Sequence, residues 1–457
     1  MGALEPEVSA AAVGGDAAEV GKRALRKASW RLIPLLGLGY GIAFMDRINI
    51  SFASLQMNRD LHFSAAVYGF GAGLFFVSYA ACEVPSNLLL CKFGARRWLT
   101  RIMLTWGLLA IGMMFVKTPV QFYTMRFLLG IAEAGFFPGV IFYLSEWFPE
   151  WMRARVISRF YIAYPLASTF MGAVAAPLLR LQGRLGLAGW QWLFLVEGLP
   201  SVLFSAVLWR YLTDKPKDAG WLSAQEREWL VRELAVEKVT SGHGDDIWKA
   251  LRDPRVWQIG GMFLCMLITI YAYGMSAPAI LERATGLGVA GVGWLVSGAG
   301  LLGAVAMLGN AKHSDWTGER RWHVAAPFLV MAVGFVVSGW LTTPWVVVVA
   351  LTVASVATAG LQAPMLVLPS VFLKGRSMAA GIAAMNTIGM LGGFVGPWAM
   401  GLVKDHTGGY RLGLVALVVP CLVGAGLVLR VRLGEVLGNE GAGGALPEVA
   451  HGEGSAG

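Results

Sequence analysis

The sequence predicts an all-α integral membrane protein: twelve transmembrane helices in two pseudo-symmetric six-helix bundles. Composition is the first observation behind this. Of 457 residues, 56% are apolar and only 14% charged, against about 45–50% and about 25% in soluble domains; mean hydropathy is +0.61. The second is length. About 20 apolar residues cross a bilayer, and the apolar runs here are that long and recur twelve times. The third is an internal echo between the two halves of the chain.

Residues 1–30 are rich in Ala, Gly and Glu, then basic through Lys22, Arg23, Arg26 and Lys27, and read as an N-terminal tail. The apolar stretch that follows is too long for a signal peptide and has no small-residue cleavage pattern, so it stays as a span. The spans are expected at 31–56, 66–91, 98–116, 119–147, 156–180, 190–212, 256–281, 290–311, 322–341, 345–372, 377–403 and 412–433. Lipid offers no partner to a backbone amide, so each must be helical. The bundles are then 31–212 and 256–433, joined by a charge-rich loop at 213–255 and followed by a tail at 434–457. Within the loop, Ser223-Ala-Gln-Glu226 opens an amphipathic stretch in the manner of a capping box.

The formal charge of +9 has a topological origin. With the N-terminus inside, 28 of the 37 Lys and Arg fall in the tails and the loops on that side, and 7 on the other. By the positive-inside rule both termini are cytoplasmic. This accounts for the basic charge without a nucleic-acid partner. Cys82, Cys91, Cys265 and Cys421 show no metal or redox spacing and read as buried small apolar residues. None of the six His lies mid-span, so no metal site is expected.

Two pairs of motifs carry the echo. Gly94-Ala-Arg-Arg-Trp98 follows span 2, and Gly318-Glu-Arg-Arg-Trp322 follows span 8, 224 residues later. Gly172 and Pro177 in span 5 match the spacing of Gly392 and Pro397 in span 11, 220 residues later. Paired six-helix halves place a substrate site at the mid-membrane seam between them, where the halves can rock.

These features resemble the major facilitator superfamily, whose signature loops the two basic loops match. The anion:cation symporter branch, which includes permeases for tartrate, phthalate, hydroxyphenylacetate and sugar acids, is closer still. The matching residues are Met45-Asp-Arg-Ile-Asn49 in span 1, Gly69 through Tyr79 and Glu83-Val-Pro-Ser-Asn87 in span 2, and Arg126-Phe-Leu-Leu-Gly-Ile-Ala-Glu-Ala-Gly-Phe-Phe-Pro-Gly139 in span 4. His313 through His323 and Asn386 through Pro397 extend the resemblance, which covers about 30–435. It implies proton-coupled carriage of small organic anions, in the inner membrane of a bacterium, and places Tyr79 and Asn386 in the substrate cavity. One departure is that Cys91 stands where the second half has Asp315, so a symmetric charge lock is not expected.

Charges inside spans are the main chemical signal, because each costs about 2.5–3.5 kcal/mol at a helix centre. Span 1 carries Asp46 and Arg47; span 4 carries Arg126 and Glu133. The latter two are seven residues apart, which returns nearly to one face, about 10 Å along the axis. The four charges sum to zero. Arginine stays charged and grips a carboxylate with a planar fork, so Arg47 and Arg126 are the expected anion ligands. Asp46 and Glu133 are the expected proton carriers. Tyr164 and Tyr161 in span 5 and Gln362 and Ser370 in span 10 are further lining candidates. Glu83 and Glu197 read as structural or gating groups near the cytoplasmic ends of their spans. Arg96, Arg97, Asp315, Arg320 and Arg321 are expected to gate that side. The bland alternatives are local pairing or interfacial snorkelling of the arginines.

The expectation is therefore a monomeric secondary transporter taking up a small organic anion with protons, with no cofactor beyond the proton. A proton-coupled exporter of amphipathic compounds is the alternative, and the paired arginines count against it. A membrane-embedded transferase is least favoured, since GxSxG and HExxH are absent, as is the phosphate loop an ATP-driven pump would need.

Overall fold

The computed structural model describes residues 10–240, 252–371 and 375–431. Among these, eleven helical stretches are long and apolar enough to cross a membrane. The remaining expected span, span 11, is the 33-residue helix Gly375–Thr407. In chain order the other spans are Ala10–Asp60, Ala65–Phe93, Ala95–Gly112, Pro119–Glu133 with Phe136–Ser145, Glu150–Tyr161 with Ala163–Leu179, Gly189–Tyr211, Pro254–Thr285, Val289–Thr317, Arg321–Trp340, Pro344–Val367, and Arg411–Ala416 with Val418–Arg430.

Three local expectations need amending. The tail expected at 1–30 is helical from Ala10 and continuous with span 1, one helix of 51 residues running from Ala10 to Asp60, about 75 Å at 1.5 Å per residue. Its segment around Gly21 and Lys27 docks on the helix Ala224–Thr240 of the inter-bundle loop. Lys27 pairs with Glu226 at 2.8 Å, and Gly21 abuts the Trp229 ring. The Ser223–Glu226 capping box forms in both directions, at 2.9 and 3.2 Å. Burial pushes the Glu226 carboxyl up, but bonds from Lys27 and the Ser223 backbone outweigh it and hold it below the usual carboxylate range. Cysteine is the second correction. Cys265 and Cys421 are buried, but Cys82 is half-buried and Cys91 exposed, since it sits on the outer side of the last turn of span 2. Third, Glu197 lies in the half of span 6 nearer its start, Gly189, the end anchored to the C-terminal end of span 1 by Trp190 Nε1 donating to Asp60 at 2.9 Å. That is the end away from the basic loops.

The halves meet along spans 2 and 11, 5 and 8, and 1 and 7. Close approach is possible because small residues face each other. A Cβ on Gly172 or on Gly293 would collide with the other's carbonyl oxygen, and one on Gly73 with that of Phe394. The seam is latched on the face opposite the basic loops. There Asp405 at the end of span 11 accepts from the amides of Ala65 and Ala66, at 3.0 and 2.7 Å, and so caps span 2. Arg59 pairs with Glu282 at 3.1 Å. Tyr68 donates to the Met275 carbonyl at 2.8 Å.

On the basic face the arginines bond within their own halves. Arg96 donates to the Trp209 carbonyl at the end of span 6, and its amide to Asp214. Arg320 pairs with Asp315 at 2.6 Å. Asp214 thus holds the backbone at the start of span 3, where Asp315 in the second half holds an arginine side chain.

Removing the Asp405 cap should loosen the latch. Asp405→Ala is expected to cost about 1 kcal/mol of latch stability and to lengthen the distance between spin labels at His62 and His406, read by pulsed electron resonance.

Candidate functional site

Span 4 is discontinuous at the point where its acid sits. The helix Pro119–Glu133 ends, Gly135 takes a left-handed conformation with φ of +86°, and Phe136–Ser145 begins anew. An L side chain rarely adopts that φ, and a Cβ there would also strike the Ser86 hydroxyl. Ser86 donates to the Ala134 carbonyl at 2.6 Å and accepts from Trp98 Nε1 at 3.0 Å, which fixes the break. Broken helices that line a seam are a recurrent device of transporter binding sites.

At this break the four expected charges converge. Arg47 is ion-paired with Glu133, and Arg126 exerts its charge on Asp46. All four are buried, Arg47 being the most exposed at 8%. Phe75 lies between the guanidinium groups, 5.4 Å from Arg47 and 4.9 Å from Arg126. Tyr79 offers Arg47 its ring face at 5.3 Å. Such faces attract cations, so Phe75 and Tyr79 partly replace water around Arg47.

Neighbours on one helix turn point about 100° apart, and this separates Asp46 from Arg47. Asp46 faces into the first bundle, accepting from Trp106 Nε1 at 2.9 Å and from Asn49 at 3.1 Å. Arg47 faces the seam, where Nη1 reaches the Tyr271 hydroxyl of span 7 at 3.5 Å. None of the four charges lines the space between the halves. They make a closed cluster inside the first bundle, with Arg47 at its edge.

Beside that edge lies a cavity of about 160 Å³ between the halves, lined by Phe44, Tyr164, Tyr271, Tyr273, Ser355 and Thr358 among others. Tyr164 lies edge-on to Phe44, ring centres 4.2 Å apart. Tyr161 and Tyr164 both bond Gln362 across the seam, at 3.0 and 3.1 Å. Asn386 is not on the cavity wall. It donates to both Glu83 oxygens at 2.8 Å and bridges spans 2 and 11. The Ser370 side chain lies outside the described residues. Arg97 is exposed and Arg321 half-buried, neither near the cluster.

Sequence reasoning missed Tyr271, Asp214 and the Glu83–Asn386 bridge. Each depends on residues far apart in the chain, and no periodic signal marks it.

Two helical bundles meeting on a polar seam, with arginine and carboxylate at its edge, define a membrane transporter rather than an enzyme. The chain belongs to the Major Facilitator Superfamily, whose profile matches residues 36–397. It is 44% identical over 89% of its length to a protein of Agrobacterium vitis provisionally named a tartrate transporter, covering 91% of that protein. It is 38% identical over 88% of its length to the quinolone resistance transporter of Acinetobacter baumannii, covering 93% of it. Among solved structures, the bacterial homologue of the human lysosomal transporter Spinster superposes with a TM-score of 0.72 at 16% identity, over 88% of this chain and 96% of that one.

The break in span 4 sets where Glu133 sits. Gly135→Ala combines a strained φ with a clash, and is expected to destabilise the protein by about 1–2 kcal/mol, visible as a lowered unfolding temperature of the detergent-solubilised protein.

Proposed function

We propose that this transporter takes up a small organic anion together with protons by alternating access. The observation that carries the proposal is the buried Arg47–Glu133 ion pair, whose Arg47 reaches Tyr271 on the wall of the inter-bundle cavity. A buried guanidinium needs an anion, and Glu133 supplies one at rest. A substrate carboxylate entering beside Tyr271 competes for the same planar fork. Once Arg47 turns to the substrate, Glu133 is left as an uncompensated buried charge. Breaking a buried pair in this way costs about 3–5 kcal/mol, and taking up a proton removes that cost. Anion binding thus favours proton binding, and linkage makes the effect reciprocal. Asp46 and Arg126 repeat the balance one layer deeper, which permits a second proton.

The substrate is a carboxylate of tartrate size or an aromatic or sugar acid. The similarity to the Agrobacterium vitis protein supports the first, and the Phe44, Tyr164 and Tyr271 rings suit the second. No cofactor is required, the proton being the coupling ion. The protein acts as a monomer in the bacterial inner membrane, with both termini and the basic face cytoplasmic. Arg96, Arg97, Asp315, Arg320 and Arg321 gate that face when the seam closes there.

A second reading, proton-coupled export of amphipathic compounds, is favoured by the similarity to the quinolone resistance transporter. Proteoliposomes holding only this chain separate the two. An inward proton gradient should drive accumulation of labelled tartrate or another carboxylate under the first reading and extrusion of a quinolone under the second.

Two variants test the coupling. Glu133→Gln should retain exchange of substrate across the membrane yet lose gradient-driven accumulation; accumulation at the wild-type level would remove Glu133 from coupling. Arg47→Lys replaces the fork by a point charge, and net uptake should fall by about tenfold or more, as loss of one charge-assisted hydrogen bond of about 1.5–3 kcal/mol implies. Unchanged uptake kinetics would remove Arg47 from the anion site.

A further inference from the structure

Every intramembrane carboxyl of the first bundle but one has a hydrogen-bond donor. Glu133 has Arg47, Asp46 has Trp106 and Asn49, and Glu83 has Asn386. Glu197 in span 6 has none. It is 5% exposed, and neither of its oxygens has a hydrogen-bond partner among the described residues.

The groups that act on it are Asp46 and Asn49, both on span 1. Asn49 lies within interaction range, without the geometry of an ordinary hydrogen bond. Asn49 gives one of its two amide hydrogens to Asp46, and its own Oδ1 is buried without a donor. Asn49 Oδ1 and the Glu197 carboxyl are thus neighbouring buried acceptors that both lack a donor. Span 3 contributes Trp106, whose N–H is already given to Asp46. Its arginines, Arg96, Arg97 and Arg101, lie more than a turn nearer the basic face than Gly107, which packs on Gly198. The stretch Ala163–Leu179 of span 5 holds no charged residue. No cation acts on Glu197.

An ionised Glu197 would be a buried charge with neither counterion nor donor, the costliest arrangement in a protein interior. A single added hydrogen resolves both deficits. A carboxylic acid at Glu197 donates O–H to Asn49 Oδ1 and leaves no bare charge.

We propose that Glu197 is a proton-storage site of this transporter, protonated in the conformation seen here and able to pass its proton to the Asp46 carboxylate. In that transfer the O–H bond of Glu197 breaks as one on Asp46 forms, and the net charge of the cluster is unchanged. Glu197 thereby supplies Asp46 from inside the first bundle, on the side away from the substrate cavity. This deepens the proton coupling proposed above and rests on it for its role in transport. Protonation itself is testable without any transport.

The test has two arms. Infrared spectra of the purified full-length protein in lipid nanodiscs at neutral pH should show a neutral carboxylic acid band. That band should persist in Glu133→Gln and disappear in Glu197→Gln, where the glutamine amide still donates to Asn49 and preserves the fold. A band that survives Glu197→Gln and disappears in Asp46→Asn, or no band in the wild type, overturns the proposal. In proteoliposomes with labelled tartrate as the probe, Glu197→Gln should retain exchange and lose gradient-driven accumulation. Accumulation at the wild-type rate with the band lost also overturns it, because the proton would then serve only the fold. Should the wild type carry no tartrate, the substrate assignment fails while the infrared arm still decides whether Glu197 is protonated.

Discussion

A guanidinium buried between two helical bundles must be neutralised, and much of the site follows from how Arg47 is neutralised. Glu133 does it from a broken helix, Phe75 and Tyr79 do it with ring faces, and Tyr271 meets the remaining edge from the other half. The break at Gly135 exists where the acid must stand. Arg47 is also the one member of the charged cluster that reaches the seam, so any anion that enters the seam negotiates with it first.

The rest of the first bundle is organised as a balance of donors and acceptors around that residue. Asp46 turns inward to Trp106 and Asn49, which frees Arg47 to face outward. Among the described residues Arg126 has only the Ala72 carbonyl, at 3.3 Å, as a hydrogen-bond partner, and its Nε has none. Its charge is spent on Asp46 and on Phe75. The bundle buries four carboxyls, Asp46, Glu83, Glu133 and Glu197, against two of its arginines, Arg47 and Arg126. The second bundle contributes hydroxyls and amides to the seam, from Tyr271, Gln362 and Asn386, and no buried cation among its described residues.

The spans and the four membrane charges were legible because hydrophobic length and the cost of burying charge leave direct marks in a sequence. Arg126 and Glu133 stand on one face because seven residues nearly close two turns. Which of Asp46 and Arg47 faces the seam was not legible, since adjacent residues on a helix differ only by packing. The Glu83–Asn386 bridge joins residues 303 positions apart, and no local pattern encodes it. The helical extension at the N-terminus was read as a tail because it is polar. Its order comes from Trp229 and Glu226 in the loop helix, a tertiary contact that overrides composition.

The glycine-to-carbonyl contacts along spans 5 and 8, and 2 and 11, have a mechanical meaning. Where Gly172 meets Gly293, backbone rests on backbone with no side chain of either residue between them. Spans 2 and 11 also interlock, with the Phe76 ring against Gly393 and Phe70 edge-on to Phe394 and Trp398. The two contacts divide the work of joining the halves: one brings main chains together, and the other keys them in register.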